Sequence, residues 1–328
     1  MKFSCDKYVL QQAAASAARA AAAKSPIPTL EGLLIEAGAS VRITGYDLKK
    51  AIYTTIDADI PEPGSVLIGA RLFCEMLRRM PDGIVTVEAE NGTVSVKCGK
   101  AAFNLVGLSA DDYPDLPVVE AENGVSLPQD LLKKMINECS FAVSTNESRP
   151  VYMGTLFEIE NNVLTMVSVD GYRLALRREA VEGYGDDCSF IVPGTALSDL
   201  ERLCGDSDER VVLSVGSKHI SFTVGNTVIL SRRLEGDFLN YKKAIPESFR
   251  VTVKTARTDL LEVVERVSLI IDSKNNAPLR LTFRKDAIDF VSARGLVNGI
   301  NAVSYAPNAS TTRAQLWTIL ARQNDADL

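Results

Sequence analysis

One outline recurs nearly three times along this chain. Thr29-Leu30-Glu31-Gly32-Leu33-Leu34-Ile35-Glu36 runs into Gly45-Tyr46-Asp47-Leu48, and 120–126 residues later Tyr152-Met153-Gly154-Thr155-Leu156-Phe157-Glu158 runs into Gly171-Tyr172-Arg173-Leu174. A third copy begins at Asn276-Ala277-Pro278-Leu279-Arg280-Leu281-Thr282-Phe283. A period of this size signals duplicated domains, because the units of a solenoid are far shorter. Copies of one domain in a row build a surface or an enclosure more readily than a single catalytic cleft.

Each copy follows one recipe. A helix comes first, expected over 7–22, 129–141 and 257–271. In the second of these, Leu131, Leu132, Met135, Ile136 and Cys139 form an apolar stripe of helical period, as do Leu260, Val263, Val264, Val267 and Ile271 in the third. Alternating strands follow, joined by turns at Gly38, Asn161-Asn162 and Lys285-Asp286. The first two copies then add a second helix, over 71–80 and 195–203, and three more strands. The expected class is α+β, with two helices and about eight strands per domain, the helices packed on antiparallel sheets. Boundaries fall near Glu120 and Pro246, giving domains 1–120, 121–246 and 247–328.

With 328 residues the chain has room for two or three domains with cores of their own. A net charge of -6 argues against a wholly basic nucleic-acid binder but not against a local basic face. Six cysteines lie scattered with no C-x-x-C pair, and there is one histidine, so a structural zinc site is not expected. Most of the cysteines fall in apolar runs, as buried reduced thiols do. The Ala-rich run from Ala13 to Ala23 is broken by Ser16 and Arg19, too polar for a signal peptide or membrane span. A cytoplasmic protein is expected.

Val169-Asp170-Gly171-Tyr172-Arg173-Leu174-Ala175, Phe190-Ile191-Val192-Pro193 and Glu235-Gly236-Asp237-Phe238-Leu239-Asn240-Tyr241, set in repeated α+β domains, resemble the bacterial DNA polymerase III beta subunit family, the beta sliding clamps. The resemblance runs from Met1 to about Arg294. It implies a non-enzymatic processivity factor without cofactor or metal. Family members carry three such domains, and two chains join head to tail into a ring around duplex DNA. Helices line the hole and sheets form the outer wall. The implied partners are duplex DNA without sequence preference, the polymerase III alpha subunit, the clamp loader, and other clamp-binding polymerases and repair proteins.

The resemblance also implies site residues. A hydrophobic pocket for partner peptides would use Tyr152, Val169, Gly171, Tyr172, Arg173 and Leu174, with Leu239, Lys243 and Ala244 from the linker side. By pattern alone, Tyr172 and Leu174 read as turn or core residues, a reading the family resemblance reverses. DNA contacts would come from Lys24, Arg71, Asn146 and Arg149, of which the last two sit in or beside a polar loop and also read as plain solvated residues. The ring interface would use Met80, Phe103 and Leu105 on the first domain and Leu269 and Ile270 on the third. Domain core is the competing reading for all five.

The third copy departs from this pattern. No Asp or Glu occurs between Phe290 and Asn324, in a chain with 42 acids. The family's acidic strand, second helix and closing strand are not legible there, so the sequence is expected to leave the family pattern soon after Arg294, through a change of reading frame or a lineage-specific tail. A homodimer, the family's state, is doubtful for such a chain. Gln315-Leu316-Trp317-Thr318-Ile319-Leu320 faintly resembles the Gln-Leu-x-Leu-Phe peptides that clamps bind, a match short enough to be coincidence.

Two other classes compete: a metal-dependent nucleic-acid enzyme, and a general interaction scaffold unrelated to DNA. The chain has no G-x-x-x-x-G-K-[ST], H-E-x-x-H or G-x-S-x-G. His219 lies in an alternating run that reads as a surface strand, and Asp111-Asp112 and Asp186-Asp187 read as solvated turns.

Overall fold

The structure, a computed structural model, describes residues 1–119, 124–182, 187–269, 279–283, 288–292 and 303–305. The chain divides into two compact units, one built on Met1–Tyr241 and one within Lys242–Trp317.

The first repeat opens with β1 (Lys2–Asp6) and α1 (Lys7–Ala17). Asp6 caps α1 by accepting from the N–H groups of Tyr8 and Val9. Leu10, Ala13, Ala14 and Ala17 recur at helical spacing and are buried. The expected helix to residue 22 stops one turn early. Ala20 N–H turns back to Ala17 O, Ala22 N–H is taken by Leu30 O, and the buried Ala20 leaves the helix for the second core. After α1 come β2 (Gly32–Ala37), β3 (Val41–Tyr46), β4 (Lys50–Ile56), β5 (Asp59–Glu62), β6 (Gly64–Gly69), α2 (Ala70–Arg79), β7 (Ile84–Glu90), β8 (Thr93–Cys98) and β9 (Ala101–Leu108).

The second repeat copies that order with β10 (Gly124–Pro128), α3 (Gln129–Ser140), β11 (Gly154–Glu160), β12 (Val163–Val169), β13 (Leu174–Ala180), β14 (Cys188–Pro193), α4 (Gly194–Leu203), β15 (Arg210–Val215), β16 (His219–Val224) and β17 (Thr227–Arg232). A short helix, α5 (Tyr241–Ala244), follows. The other unit holds α6 (Arg257–Ser268), then β18 (Leu279–Phe283), β19 (Ile288–Ser292) and β20 (Val303–Tyr305) in one antiparallel sheet. The expected departure after Arg294 falls, apart from β20, outside the described residues.

All strand pairings among the described residues are antiparallel, as expected for this α+β class. Thirteen strands form one sheet in the order β10-β15-β16-β17-β4-β3-β2-β6-β9-β8-β7-β1-β5. A second sheet has the order β13-β12-β11-β14. The large sheet therefore runs through the seam between repeats, where β17 pairs with β4 from Thr227↔Thr54 to Ser231↔Lys50. Each repeat keeps its own core. Phe3, Leu33, Ile43, Phe73 and Val96 belong to the first, and Met135, Phe157, Met166, Phe190 and Phe222 to the second. The Phe157 ring stacks on Phe190 at 5.5 Å and meets Phe222 edge-on at 6.4 Å.

Side chains lock the seam. Ile52 on β4 is fully buried in the second core. The Thr54 and Thr227 hydroxyls share a buried hydrogen bond of 2.9 Å. Lys50 forms an ion pair with Asp199 on α4, the two side chains 15% and 9% exposed. Asn226 Nδ2 donates to Thr55 O, and Arg232 N–H to Lys49 O.

None of the six cysteines forms a disulfide. Burial raises the Cys5 and Cys139 thiols to about 12, with the neighbouring Asp6 and Glu138 charges adding to the effect.

Candidate functional site

The turn between β12 and β13 is the most constructed loop in the second repeat. Gly171 takes φ +93, open to glycine at little cost. Asp170 Oδ1 accepts from Tyr172 N–H at 2.9 Å and Arg173 N–H at 3.1 Å, while Oδ2 takes the Arg173 guanidinium at 2.8 Å. Partial burial would raise the Asp170 carboxyl, but these three donors outweigh it and hold its pKa below the ordinary aspartate value. Arg173 also lies over the Phe141 ring at 5.5 Å. The fixed turn presents Tyr172, which is 79% exposed. Val169 and Leu174 face each other across the strand pair and are buried beneath it.

Tyr152 joins the same end of the sheet. It precedes β11, whose Thr155 bonds the Ser168 hydroxyl near the end of β12 at 2.8 Å. Its ring meets Phe238 edge-on at 5.6 Å. Gly236 (φ +125) permits this approach, since a Cβ there would stand 2.7 Å from Val151 Cγ2. The structure thus gathers Tyr152, Val169, Gly171, Tyr172, Arg173 and Leu174 at one sheet end. Leu239 is half-exposed just after Phe238. Lys243 and Ala244 are exposed on α5, and belong to the other unit. Sequence reasoning left out Phe141 and Phe238 as supports. A Gly-Asp-Phe spacing was the signal for the second, and nothing local marks the first.

Lys24 is exposed in the loop after α1, Arg71 is exposed in the first turn of α2, and Asn146 and Arg149 are exposed in the loop before β11. That loop is not loose: Asn146 Oδ1 accepts from Ser148 N–H and Asn146 O from Arg149 N–H. Phe103 (43% exposed) and the half-buried Leu105 lie on β9. Met80 is 4% exposed and belongs to the first core, so it backs that surface and offers little of its own. Leu269 is 84% exposed, and Ile270 lies outside the described residues.

No group of three or more His, Cys, Asp or Glu among the described residues is arranged to hold a metal ion. His219 sits opposite Arg232 on β17, and partial burial, then Arg232 and Lys218, push its pKa down. Asp187 accepts from Asn161 N–H in a turn, and Asp111 accepts from Ser109. No helix among the described residues is long and apolar enough to cross a membrane.

Comparison with known proteins agrees with this architecture. Residues 1–117 match the family model of the DNA polymerase III beta subunit N-terminal domain, and residues 126–240 that of its central domain. The beta sliding clamp of Bacillus subtilis is 31% identical over 294 residues, covering 86% of this chain and 78% of that protein. A crystal structure of the DNA polymerase sliding clamp from Bacillus subtilis superposes with a TM-score of 0.87 at 29% identity, covering 94% of this chain and 83% of the other. A DNA polymerase III beta subunit structure from Eubacterium rectale gives 0.85 at 29%, covering 88% and 80%. With its repeated antiparallel domains, its sheet continuous across the seam and these relatives over most of its length, the chain belongs to the DNA polymerase III beta subunit family, the beta sliding clamps that act as processivity factors on DNA.

Proposed function

We propose that this clamp holds its partners at the Asp170–Leu174 turn, in the division 1–120, 121–246 and 247–328. The supporting observation is the turn itself: three hydrogen bonds to one carboxylate fix a loop that holds an aromatic ring in solvent at the end of the β12–β13 pair, where Val169 and Leu174 are buried. Such a preformed apolar seat with few polar groups suits a short hydrophobic peptide. Tyr152 and Leu239 extend it; the family resemblance adds the linker residues Lys243 and Ala244. The peptides would come from the polymerase III alpha subunit, the clamp loader, and other clamp-binding polymerases and repair proteins.

Lys24, Arg71, Asn146 and Arg149 meet phosphates without reading bases. Phe103 and Leu105, backed by Met80, form the first domain's half of the family's ring joint, with Leu269 and Ile270 on the third domain. The protein carries out no catalysis of its own and works in the cytoplasm.

Anisotropy of a labelled Gln-Leu-Ser-Leu-Phe peptide tests the seat. Arg173→Ala and Tyr172→Ala should each weaken binding several-fold; unchanged affinity in both would refute the assignment. Lys24→Glu with Arg71→Glu should shorten retention on nicked circular plasmid, and linearising the plasmid should release the parent protein.

A further inference from the structure

We propose that Phe141 is a positioning residue for the peptide seat: its ring and the Asp170 carboxylate hold the Arg173 side chain between them, so that the guanidinium Nη groups are presented to a backbone carbonyl of the bound peptide. This rests on the assignment of the seat above and adds to it the group that reads the peptide main chain.

The ring is placed by the core behind it. Phe141 is the C-cap of α3 and keeps helical backbone angles, φ -63 and ψ -19. Cys139 before it and Ala142 after it are 0% exposed in the core of the second repeat. Ala142 N–H donates to Cys139 O and Val143 N–H to Ser140 O, which closes the helix end. The backbone at residue 141 is therefore pinned, while its ring stays outside the core, 55% exposed. A phenyl ring left in water is unfavourable unless it covers something. Here it covers Arg173, whose guanidinium carbon lies 5.5 Å from the ring centroid.

Asp170 holds Arg173 as well. Arg173 Nε donates to Asp170 Oδ2 at 2.8 Å. Among the described residues neither Nη donates to a protein acceptor. Their N–H donors lie in a rigid plane with the rest of the guanidinium, so fixing Nε and one face fixes their direction. Asp170 already balances the charge. The acceptor that suits these donors is therefore a neutral carbonyl oxygen rather than a second carboxylate.

The first repeat supplies the contrast. Its turn is capped alike, since Asp47 accepts from the N–H groups of Lys49 and Lys50 as Asp170 does from those of Tyr172 and Arg173. Lys50 therefore stands where Arg173 does. α1 and α3 each follow a five-residue strand directly, so Arg19 stands where Phe141 does, and the buried Ala17 and Ala20 match Cys139 and Ala142. With Arg19 there, no ring receives the cation. Lys50 is instead spent inside the seam on Asp199, its side chain 15% exposed, whereas that of Arg173 is 51% exposed. One turn thus serves packing in the first repeat and holds a solvent-facing cation in the second.

A double-mutant cycle on the full chain tests this, read by anisotropy of the labelled Gln-Leu-Ser-Leu-Phe peptide. Phe141→Leu keeps an apolar side chain at the helix end and removes the π face. It should weaken binding about 2- to 5-fold in the parent and change nothing in the Arg173→Ala background. Phe141→Trp should bind as the parent does. No loss in the parent background, or an equal loss in both, would overturn the proposal. Nuclear magnetic resonance of the peptide-free protein labelled with 15N-arginine is the second readout. The Arg173 Nε–H signal, identified by its absence in Arg173→Ala, should move and exchange faster with water in Phe141→Leu. An unmoved signal with unchanged exchange would also overturn it. Arg173→Ala and Tyr172→Ala both binding like the parent would remove the seat and this proposal together, whereas a loss in Arg173→Ala uncoupled from Phe141 would remove this proposal alone.

Discussion

Replacing Gly45 with alanine should strike the first repeat where α1 lies hardest against the sheet. Gly45 is on β3, opposite Ile52. A Cβ there would stand 2.0 Å from Ala17 O and 2.9 Å from Ala17 C. Real Cβ contacts do not go below 3.0 Å, so the helix must lift by about 1 Å. Nothing flexible absorbs that. The obstacle is backbone, and Ala17 O already accepts from Ala20 N–H at 3.0 Å. Overpacking of this kind costs ~1–3 kcal/mol, and two rigid backbones place it near the top, about 3 kcal/mol. For a cooperative unit of this size that lowers the melting temperature by roughly 6–12 °C. Gly38→Ala is the control, because a Cβ there meets nothing within 4 Å. Differential scanning calorimetry of both variants checks the reasoning. A Gly45→Ala midpoint within about 2 °C of the parent would show that the helix does not sit this close.

Three further outcomes are expected. Breaking the buried seam pair by Lys50→Met or Asp199→Asn alone should cost ~3–5 kcal/mol, whereas Lys50→Met with Asp199→Leu should recover most of it, as read by urea titration. The two Asp-capped turns should respond oppositely: Leu48 at φ 69 should gain ~0.5–1 kcal/mol on Leu48→Gly, and Gly171→Ala should lose about as much. Asp170 titrates below its unfolded value, so its stabilisation is complete above the ordinary aspartate pKa of ~3.9 and is lost as pH falls through the lower folded value. Parent and Asp170→Asn melting temperatures should therefore differ most near neutral pH and converge in acid; a constant gap would contradict the hydrogen bonding described.

Much of the fold is legible in sequence because period decides it locally. The α3 stripe of Leu132, Met135, Ile136 and Cys139 is buried as its spacing demands, and the Asn161-Asn162 turn joins β11 to β12 with both residues at positive φ. The turn at Gly171 is legible too, since glycine permits its positive φ. The seam was not. The pairing of β17 with β4 joins residues more than 170 positions apart, and no local pattern in Ala51, Ile52 or Ile229 says which strand lies alongside. The short strands β1 and β10 were missed because five residues before a helix read as its leader. α1 ended early because the tertiary placement of Ala20 overrode the helix propensity of an alanine run.

The seam also sets a schedule during synthesis. β4 leaves the ribosome long before β17, and at ~5–20 residues per second the intervening stretch takes roughly 10–35 s to make. For that interval the first repeat carries a raw strand edge at Lys50–Ile56. Its neighbours on a polysome expose the same edge. Nascent chains of this protein are therefore at greatest risk of mispairing with one another after the first repeat has folded and before the second is complete, a window in which a ribosome-associated chaperone would protect assembly most.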